Sequence, residues 1–307
     1  MTPHIVVVGS LNMDLVIRAQ RHPSPGETIT GEAFRTIPGG KGANQAVAAA
    51  RMGGRVTMIG SVGTDPFGDA LVTNLEAAGV ETKTIERVEN PTGVALITVS
   101  ASGENTIVLA PGANGAVSPD MVAAHGSTIA SADVLILQLE VPLAAVELAA
   151  KLAHEHGVQV ILNPAPAQPL PAQMLACVSY LIPNEHEAAL LADLPTNGPI
   201  DAALAASRLQ TQSVRGVIVT LGSRGALVLT PEGFSSVPSF PVRVVDSTAA
   251  GDAFVGAFSV ALSEGRTAVQ AARWGCAAGA LACTTLGAQP SLPWQAEVEK
   301  LLDSEPA

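Results

Sequence analysis

The chain has 307 residues, of which 16 are Lys or Arg and 27 are Asp or Glu, so its formal net charge at pH 7 is −11. This acidic surplus argues against a protein that binds nucleic acid or an anionic membrane surface through charge. A hydrophobic fraction of 48% with only 14% charged residues excludes a disordered chain and allows a large core.

The first third of the chain mixes helical and extended patterns. Residues 4–10 predict a buried strand that ends in a small-residue turn. Residues 15–38 are extended and contain many Gly, Pro and Thr. A helix is predicted from about Gly42 to the Gly53-Gly54 pair. A strand over 56–62, a helix over 66–78 and strands within 80–110 follow, the last two strands forming a hairpin around the turn ASGE.

After Asn114 the predicted elements alternate regularly. Strands are predicted at 134–139, 158–163, 180–184 and 216–222, and a hairpin at 225–239. Helices are predicted at 118–130, 142–157, 185–194, 201–213, 250–264, 267–285 and 294–302.

This alternation predicts an α/β fold with a doubly wound, mostly parallel central sheet and helices on both faces. Segments 12–38 and 92–112 break the alternation, and we expect them to pair across sequence distance as a small β-sheet lid. The large domain would then comprise 1–11, 39–91 and 113–307.

The three cysteines are scattered and form no CxxC pair, which indicates a reduced, cytoplasmic protein. The N-terminal segment has no signal-peptide pattern, and no run of about 18 apolar residues predicts a membrane span. The P-loop, dinucleotide-binding and nucleophile-elbow motifs are also absent from the sequence.

The segment DSTAAGD, residues 246–252, precedes an apolar helix and carries the strongest chemical signal. The first N–H groups of a helix have no helical partner and can bind an anion, and small residues allow a phosphate to approach them. Asp252 beside such a site could accept a proton from an attacking hydroxyl. The alternative is that Asp252 only caps the helix.

A second glycine-rich segment, PGGKGANQ at residues 38–45, also opens a helix and could be a plain turn or a polar ligand site. Four further polar residues stand at the ends of predicted strands. They are Asn12 with Asp14, Glu140 and Asn184. Because ligands of open α/β sheets bind outside the carboxyl ends of the strands, we expect these side chains to converge.

Together the segments GGKGANQAVAAARMG (39–53) and DSTAAGDAFVGAF (246–258) resemble the two signatures of the ribokinase family of carbohydrate kinases, the pfkB family. The resemblance extends over essentially the whole chain. Within the family, the segments SLNMDLV, TLGSRG and GAQPSLPW are most similar to enzymes that phosphorylate ribose. The resemblance implies ATP-dependent phosphorylation of D-ribose at O5, with Mg²⁺ and an activating K⁺.

The resemblance also implies roles for individual residues. Asp252 is similar to the catalytic base, and Ala249, Ala250 and Gly251 to the anion hole. The sugar-binding set would be Asn12, Met13, Asp14, Gly40, Lys41, Gly42, Ala43, Asn44, Glu140 and Asp252. The ATP site would be formed by Asn184, Glu187, Thr220, Leu221, Gly222, Ser223, Arg224, Gly225, Gly251, Asp252 and Cys276. The K⁺ ion would be held at Asp246, Thr248, Ala282, Thr285, Gly287 and Ser291.

In the family the NxxE motif, here Asn184 to Glu187, supports Mg²⁺ and phosphate binding, and the lid sheet clasps a second subunit, which implies a homodimer.

The chain departs from the family pattern at two places. Cys276 occupies a position where related sequences often carry His or Asn near adenine, so it either contacts the base or only packs in the core. Residues 285–287 lack the basic residues that are common before GAQPS.

Two other functions remain open from the sequence. The chain could phosphorylate a different substrate of the same family, such as deoxyribose, fructose or a nucleoside, with Asp14 as the residue that selects hydroxyl patterns. It could also be a sugar-binding regulator without catalysis. The intact AAGD and NxxE motifs argue against the regulator, and the scarcity of aromatic residues in the lid segments argues against a nucleoside.

Overall fold

The computed structural model describes residues 2–195, 201–212 and 214–304. Its strands are β1 His4–Val8, β2 Asn12–Arg18, β3 Ala33–Gly39, β4 Arg55–Gly63, β5 Ile85–Val88, β6 Gly93–Val99, β7 Asn105–Ala110, β8 Val134–Leu137, β9 Gln159–Leu162, β10 Tyr180–Leu181, β11 Gly216–Thr220, β12 Ala226–Thr230 and β13 Gly233–Val237.

The helices are α1 Lys41–Arg51, α2 Pro66–Ala77, α3 Pro119–Ala124, α4 Gly126–Ala130, α5 Leu143–Glu155, α6 Ala172–Leu175, α7 Glu185–Leu191, α8 Ala202–Gln210, α9 Ala250–Ser263, α10 Ala268–Ala282, α11 Ala288–Ser291 and α12 Gln295–Ser304. Two 3-10 turns lie at Gly112–Ala116 and Gly222–Arg224. In the part of the chain that the structure describes, no helix is both long and apolar enough to cross a membrane.

Nine of the described strands form the central sheet in the order β13-β12-β11-β10-β9-β8-β1-β4-β5. Strands β12 and β13 join it antiparallel at one edge, and the other pairings are parallel. Along β1, Ile5 and Val7 pack in one hydrophobic core while Val6 and Val8 pack in a second core. The period of two along each strand thus places an apolar core on both faces, and the predicted doubly wound sheet is confirmed.

Helices α1, α2, α9, α10 and α12 supply residues to the first core, and α3 to α8 to the second. Many of the packing residues are alanines, such as Ala46 and Ala49 on α1 and Ala253 and Ala257 on α9. Short side chains let the helices approach the sheet and each other closely, which explains how a chain with 3% aromatic residues forms a continuous core.

The remaining four strands form a separate sheet in the order β3-β2-β6-β7. Here β2 pairs with β6 in parallel over its full length, from Asn12 opposite Gly93 to Arg18 opposite Val99. The predicted pairing across sequence distance is therefore confirmed, as is the β6–β7 hairpin. Asn12 also faces Gly39, so β2 and β3 meet at the segment that leads into α1.

Several predicted element bounds were wrong. The single helix predicted over 118–130 is two short helices, α3 and α4, which meet at His125. The strands predicted to reach residues 139 and 184 end at Leu137 and Leu181, although an isolated parallel bridge still pairs Asn184 with Thr220. Helices α6 and α11 were not predicted. Residue 213 of one predicted helix, and residues 196–200 and 305–307 of the predicted large domain, lie outside the described residues.

Candidate active site

Asp252 lies in the first turn of α9, and its side chain does not cap that helix. The N-cap is Ala249, in the left-handed conformation with φ of 61°, and no side-chain cap bond is present there. Instead, Asn44 Nδ2 and Gln45 Nε2 of α1 each donate to one Asp252 oxygen, both at 2.9 Å. The capping alternative is therefore wrong, and the carboxylate is held by two amide donors.

The close packing of α1 against α9 makes these bonds possible. Gly256 of α9 faces Ala48 and Ala49 of α1, and a Cβ at this position would lie 2.8 Å from the Ala49 nitrogen. Backbone therefore contacts backbone here, which only glycine permits. One turn earlier on each helix, Asn44 meets Asp252.

Glu140 is held at the carboxyl end of β8 by three donors on its Oε2 atom. These are Ser10 Oγ at 2.5 Å, the Lys41 backbone N–H at 3.1 Å and Asn12 Nδ2 at 3.4 Å. Because all of them bind the same oxygen, Oε1 stays available to a ligand. The structure thus brings together the predicted residues Asn12, Lys41 and Glu140.

Asn114, which was not predicted, determines how the Asn12 amide is oriented. It accepts the Leu11 N–H at 2.8 Å and donates to the Leu11 carbonyl at 3.0 Å and to Asn12 Oδ1 at 2.7 Å. The Asn12 amide is therefore fixed with its nitrogen toward Glu140. A cavity of about 310 Å³ lies here, lined by Asn12, Asn114, Glu140 and, from the small sheet, Leu109.

Burial and mutual repulsion perturb the carboxylates around Lys41. Burial, with the charges of Glu140 and Asp252, raises the pKa of Asp14 to about 7. Burial also raises the pKa of Asp252, although Lys41, Asn44 and Gln45 oppose this shift. Burial would lower the pKa of Lys41, but Asp252, Glu140 and Glu187 outweigh it, so the net pKa is raised and the ammonium stays charged.

The other predicted sugar-site residues lie in the same place but contribute differently. Gly40 has φ of 90°, and a Cβ there would lie 2.7 Å from the Asn12 nitrogen. Gly42 packs against the backbone of Ser10 just as tightly. Met13 and Ala43 are buried in the hydrophobic core, so only their backbone can face a ligand.

A second cleft, of about 570 Å³, opens on the other side of the α9 N-terminus. It is lined by Thr220, Gly222, Ser223, Gly225, Phe240, Val244, Ala250, Gly251, Phe254, Cys276 and Cys283, among others. Beyond its chain neighbours and the backbone of its own helix, no heavy atom of the described residues lies within 4 Å of the position where a Gly251 Cβ would stand. The first-turn N–H groups of α9 therefore border an open cleft that suits an anionic ligand.

Three predicted nucleotide-site residues are engaged in local contacts. Asn184 and Glu187 form a reciprocal capping box at the start of α7, with bonds of 2.8 and 2.9 Å. Arg224 forms an ion pair with Glu185. Glu187 keeps one carboxylate oxygen outside the capping box. Burial raises its pKa, the charge of Lys41 opposes this shift and the charge of Asp252 adds to it. Leu221 packs against the second core.

Cys276 lines the cleft but is 95% buried, and burial raises the pKa of its thiol to about 12. The thiol therefore stays protonated and is a weak nucleophile. It contributes packing at the cleft wall beside Phe254 and Phe240.

The predicted K⁺ segments meet at Asp246. Its Oδ1 accepts the N–H and the hydroxyl of Thr248 at 3.0 and 2.7 Å, and its Oδ2 accepts the Gly287 N–H at 2.9 Å. These bonds overcome burial and lower the pKa of Asp246. The segment 282–291, which contains Gly287, also includes Ala282, Thr285 and Ser291. No group of three His, Cys, Asp or Glu side chains suited to a metal is found among residues 2–195, 201–212 and 214–304.

The residues that sequence reasoning missed are mostly neutral amides. Besides Asn114, they are Gln45, Gln138 and Asn163, which connect to Asp252 through side-chain hydrogen bonds. Gln138 and Asn163 directly follow β8 and β9. The rule that singled out Glu140, a polar residue at the carboxyl end of a strand, applies to both of them.

The whole chain matches known proteins. The model of the pfkB family carbohydrate kinases matches residues 2–295. The chain is 46% identical to a ribokinase of Schizosaccharomyces pombe over 96% of each chain, and 42% identical to a ribokinase of Bacillus subtilis over 97% of this chain and 99% of the other. The structure of Arabidopsis thaliana ribokinase complexed with ribose and ATP is similar with a TM-score of 0.91 and 34% identity, covering 98% and 99% of the two chains.

Proposed function

Because the chain belongs to the pfkB family of carbohydrate kinases, we propose that it is a ribokinase that transfers the γ-phosphoryl group of ATP to O5 of D-ribose. The observation that carries this proposal is the position of Asp252. It directly follows the anion-binding turn that borders the nucleotide cleft and is bonded to Asn44 of the sugar-site helix. A carboxylate at this point can accept the proton of a hydroxyl on the sugar side, while the neighbouring N–H groups bind a phosphate on the cleft side.

In the proposed reaction the O5 hydroxyl gives its proton to the Asp252 carboxylate as the oxygen attacks phosphorus and the bond to ADP breaks. The N–H groups of Ala249 and Gly251 donate to the transferred group and stabilise its negative charge, and the Ala250 N–H already donates to the Ser247 carbonyl at 3.2 Å. Burial raises the pKa of Asp252 and thus makes it a stronger base than an exposed carboxylate. The charge of Lys41 opposes this shift and favours the ionised form.

The proposed sugar site is the acceptor-rich pocket around Asp14 and Glu140. Ribose hydroxyls donate to the free Oε1 of Glu140 and to Asp14, and they accept from the Asn12 amide. Asn44, which donates to Asp252 through Nδ2, has an Oδ1 atom with no partner among the described side chains and backbone. A buried oxygen without a donor is costly, so a hydroxyl of the sugar fits this position.

The donor sets fit both proposed metal ions. Glu187 offers the free carboxylate oxygen that Mg²⁺ would use together with phosphate oxygens and water. Asp246, whose carboxylate connects Thr248 to Gly287, would hold K⁺ together with backbone carbonyls of the segment through Gly287. Bound there, the cations would add positive charge near the phosphates. Asp246 itself connects the loop at Thr248 to the loop at Gly287, beside the α9 N-terminus.

The decisive experiment compares kcat/KM for D-ribose, deoxyribose, fructose and adenosine with ATP and Mg²⁺, in potassium chloride and in choline chloride. We expect ribose to be the best substrate and potassium to raise its turnover. Better use of another sugar or of the nucleoside would refute the substrate assignment. Ribose binding without any ATP turnover would instead support the sugar-binding regulator.

We expect ribose affinity to depend on pH through Asp14. The pKa of about 7 means that Asp14 is mostly protonated at pH 6 and mostly charged at pH 8. Only the charged form accepts two hydroxyl donors, so KM for ribose should rise about tenfold from pH 8 to pH 6. Steady-state assays across this range check it. The variant Asp14→Asn should bind weakly and have a nearly constant KM. A wild-type KM that does not change with pH would contradict this role.

We propose that segments 12–38 and 92–112 form a lid that also carries the interface of a homodimer. Large apolar side chains are exposed on this small sheet, namely Phe34 at 63%, Val108 at 65%, Ile107, Leu96 and Leu109. A monomer rarely leaves such a patch in water, and a second copy would cover it. Lid closure would exclude water from the phosphoryl group.

The variant Val108→Asp places a charge in the middle of this patch and should convert a dimer to a monomer. Sedimentation velocity at micromolar concentration measures the change. The matched control is Leu204→Asp, which puts the same charge at an exposed leucine of α8 and should leave the dimer intact. A wild-type protein that sediments as a monomer would rule out the proposed interface.

We further propose a cytoplasmic location, with which the free cysteines of the chain are consistent.

A further inference from the structure

We propose that Gln45, Gln138 and Asn163 form a chain of side-chain amides that orients the Asp252 carboxylate, and that Gln138 is a positioning residue acting through Gln45. The proposal rests on the proposed kinase function. It adds to that function Gln45 of α1, which contacts the base, and two residues at the ends of β8 and β9 that hold Gln45 in place.

The first end of the chain is fixed by backbone. Asn163 Nδ2 donates to the Ile182 carbonyl at 2.8 Å, so Asn163 Oδ1 must face the other way. There it accepts Gln45 Nε2 at 3.1 Å. The carbonyl of a strand end thus determines which atom of Asn163 faces Gln45.

The second end is fixed by Gln138. Its Nε2 donates to Gln45 Oε1 at 2.6 Å, and both glutamines are fully buried. The other side of the Gln138 amide lies against Gly9, where a Cβ would lie 3.1 Å from the Gln138 Cδ atom and would overlap Oε1. Any residue other than glycine at position 9 would displace this amide.

Held from both sides, the Gln45 amide has only one favourable orientation. Its oxygen faces Gln138, and its nitrogen donates one hydrogen to Asn163 and the other to Asp252 Oδ1 at 2.9 Å. A flipped amide would direct an oxygen at two acceptor oxygens and a nitrogen at another nitrogen. The donor to Asp252 is therefore enforced by two residues that do not contact the base.

This enforced donor matters because Asp252 is buried, and burial disfavours its charge. Besides Asn44 and Gln45, the groups that face it from other elements are Lys41 on α1, Glu140 after β8, Asp14 on β2 and Glu187 on α7. Three of these four are acidic. Amide donors favour the ionised carboxylate and fix its plane, and so define the direction in which a proton can be accepted.

Core packing alone would not select this arrangement. Gln138 Oε1 is buried and has no hydrogen-bond partner among the described residues. Such an atom destabilises the folded protein, whereas a methionine of similar shape would fill the space without that cost. The arrangement keeps the glutamine and its unpaired oxygen, and in return it places a donor on Gln45.

The test uses Gln138→Met, which keeps the side-chain length and removes both the donor to Gln45 and the unpartnered Oε1 atom. We expect kcat for ribose to fall about tenfold or more, with KM within about threefold of wild type, because proton transfer is affected and sugar contacts are not. The acidic limb of the kcat–pH profile should move to higher pH, since a Gln45 amide free to flip no longer favours the charged base. The matched control is Gln159→Met at the opposite end of β9, where another buried amide oxygen lacks a partner.

The outcomes separate the two proposals. If wild-type protein phosphorylates no sugar, the proposed function fails. If wild type is active and Gln138→Met, folded by its thermal melting curve, keeps the wild-type kcat and pH profile, only the positioning role is overturned. If Gln159→Met loses as much kcat as Gln138→Met, general core disturbance explains the loss and the positioning role is also overturned.

Discussion

Replacing Asp252 with asparagine is expected to lower kcat for ribose phosphorylation by about 10²- to 10⁴-fold, the range that a positioned general base contributes. Asparagine cannot take the O5 proton at neutral pH. Its side chain fills the same volume between Asn44 and Gln45, so the fold and the sugar pocket should persist. Steady-state kinetics and ribose titration calorimetry together measure the two quantities.

The control for this variant is Asp201→Asn, which changes a carboxylate that caps the exposed start of α8. It should retain wild-type kcat. The assignment of Asp252 as the base would be wrong if the asparagine variant turned over ribose at a near-normal rate. A variant that neither binds ribose nor melts cooperatively would point to a structural role instead.

Enlarging Gly256 should have the second large effect, on both stability and turnover. A Cβ at this position meets the backbone of Ala48 and Ala49 at 2.8 to 2.9 Å, so Gly256→Val forces α9 away from α1. Overpacking of this kind typically costs about 1–3 kcal/mol in the free energy of unfolding. The same movement separates Asp252 from Asn44, and a displacement of about 1 Å in an active site can reduce kcat about 10²-fold.

Urea unfolding and kcat measurement on the same preparation check this expectation. Gly126→Ala serves as the comparison, because a Cβ on that glycine of α4 would meet its nearest non-local atom, Leu152 Cδ1, at 3.8 Å. That variant should be as stable and active as wild type. Equal stability and kcat in Gly256→Val would contradict the role given to the close contact between α1 and α9.

Charge and position made part of the site predictable from the sequence. Asn12, Glu140 and Asp252 stand at the ends of predicted elements, and the topology of an open sheet brings such ends together. Contiguous motifs were less informative about individual side chains. Within the same short segments, Met13 and Ala43 face the core because strand and helix periods direct them there.

The strand-end rule applies to Gln138 and Asn163, but the bonds that connect the amide chain could not be predicted from local patterns. Gln45, Gln138 and Asn163 carry no charge, and their partners lie far away along the chain. Only the tertiary structure shows which atom of each amide faces which neighbour. The strand ends at Leu137 and Leu181 were also missed, because apolar residues such as Leu139 and Ile182 continue the pattern beyond them.

The carboxylates around Lys41 have a consequence for the end of the catalytic cycle. Ribose is neutral and offers hydroxyl donors, so in the proposed site Asp14 and Glu140 would attract it. Ribose 5-phosphate would carry about two negative charges on the phosphate bonded to O5, beside Asp252, and like charges repel strongly where the dielectric constant is low. The acceptors that bind the incoming sugar would therefore weaken the hold on the outgoing ester. A single set of residues would thus favour both entry of substrate and departure of product.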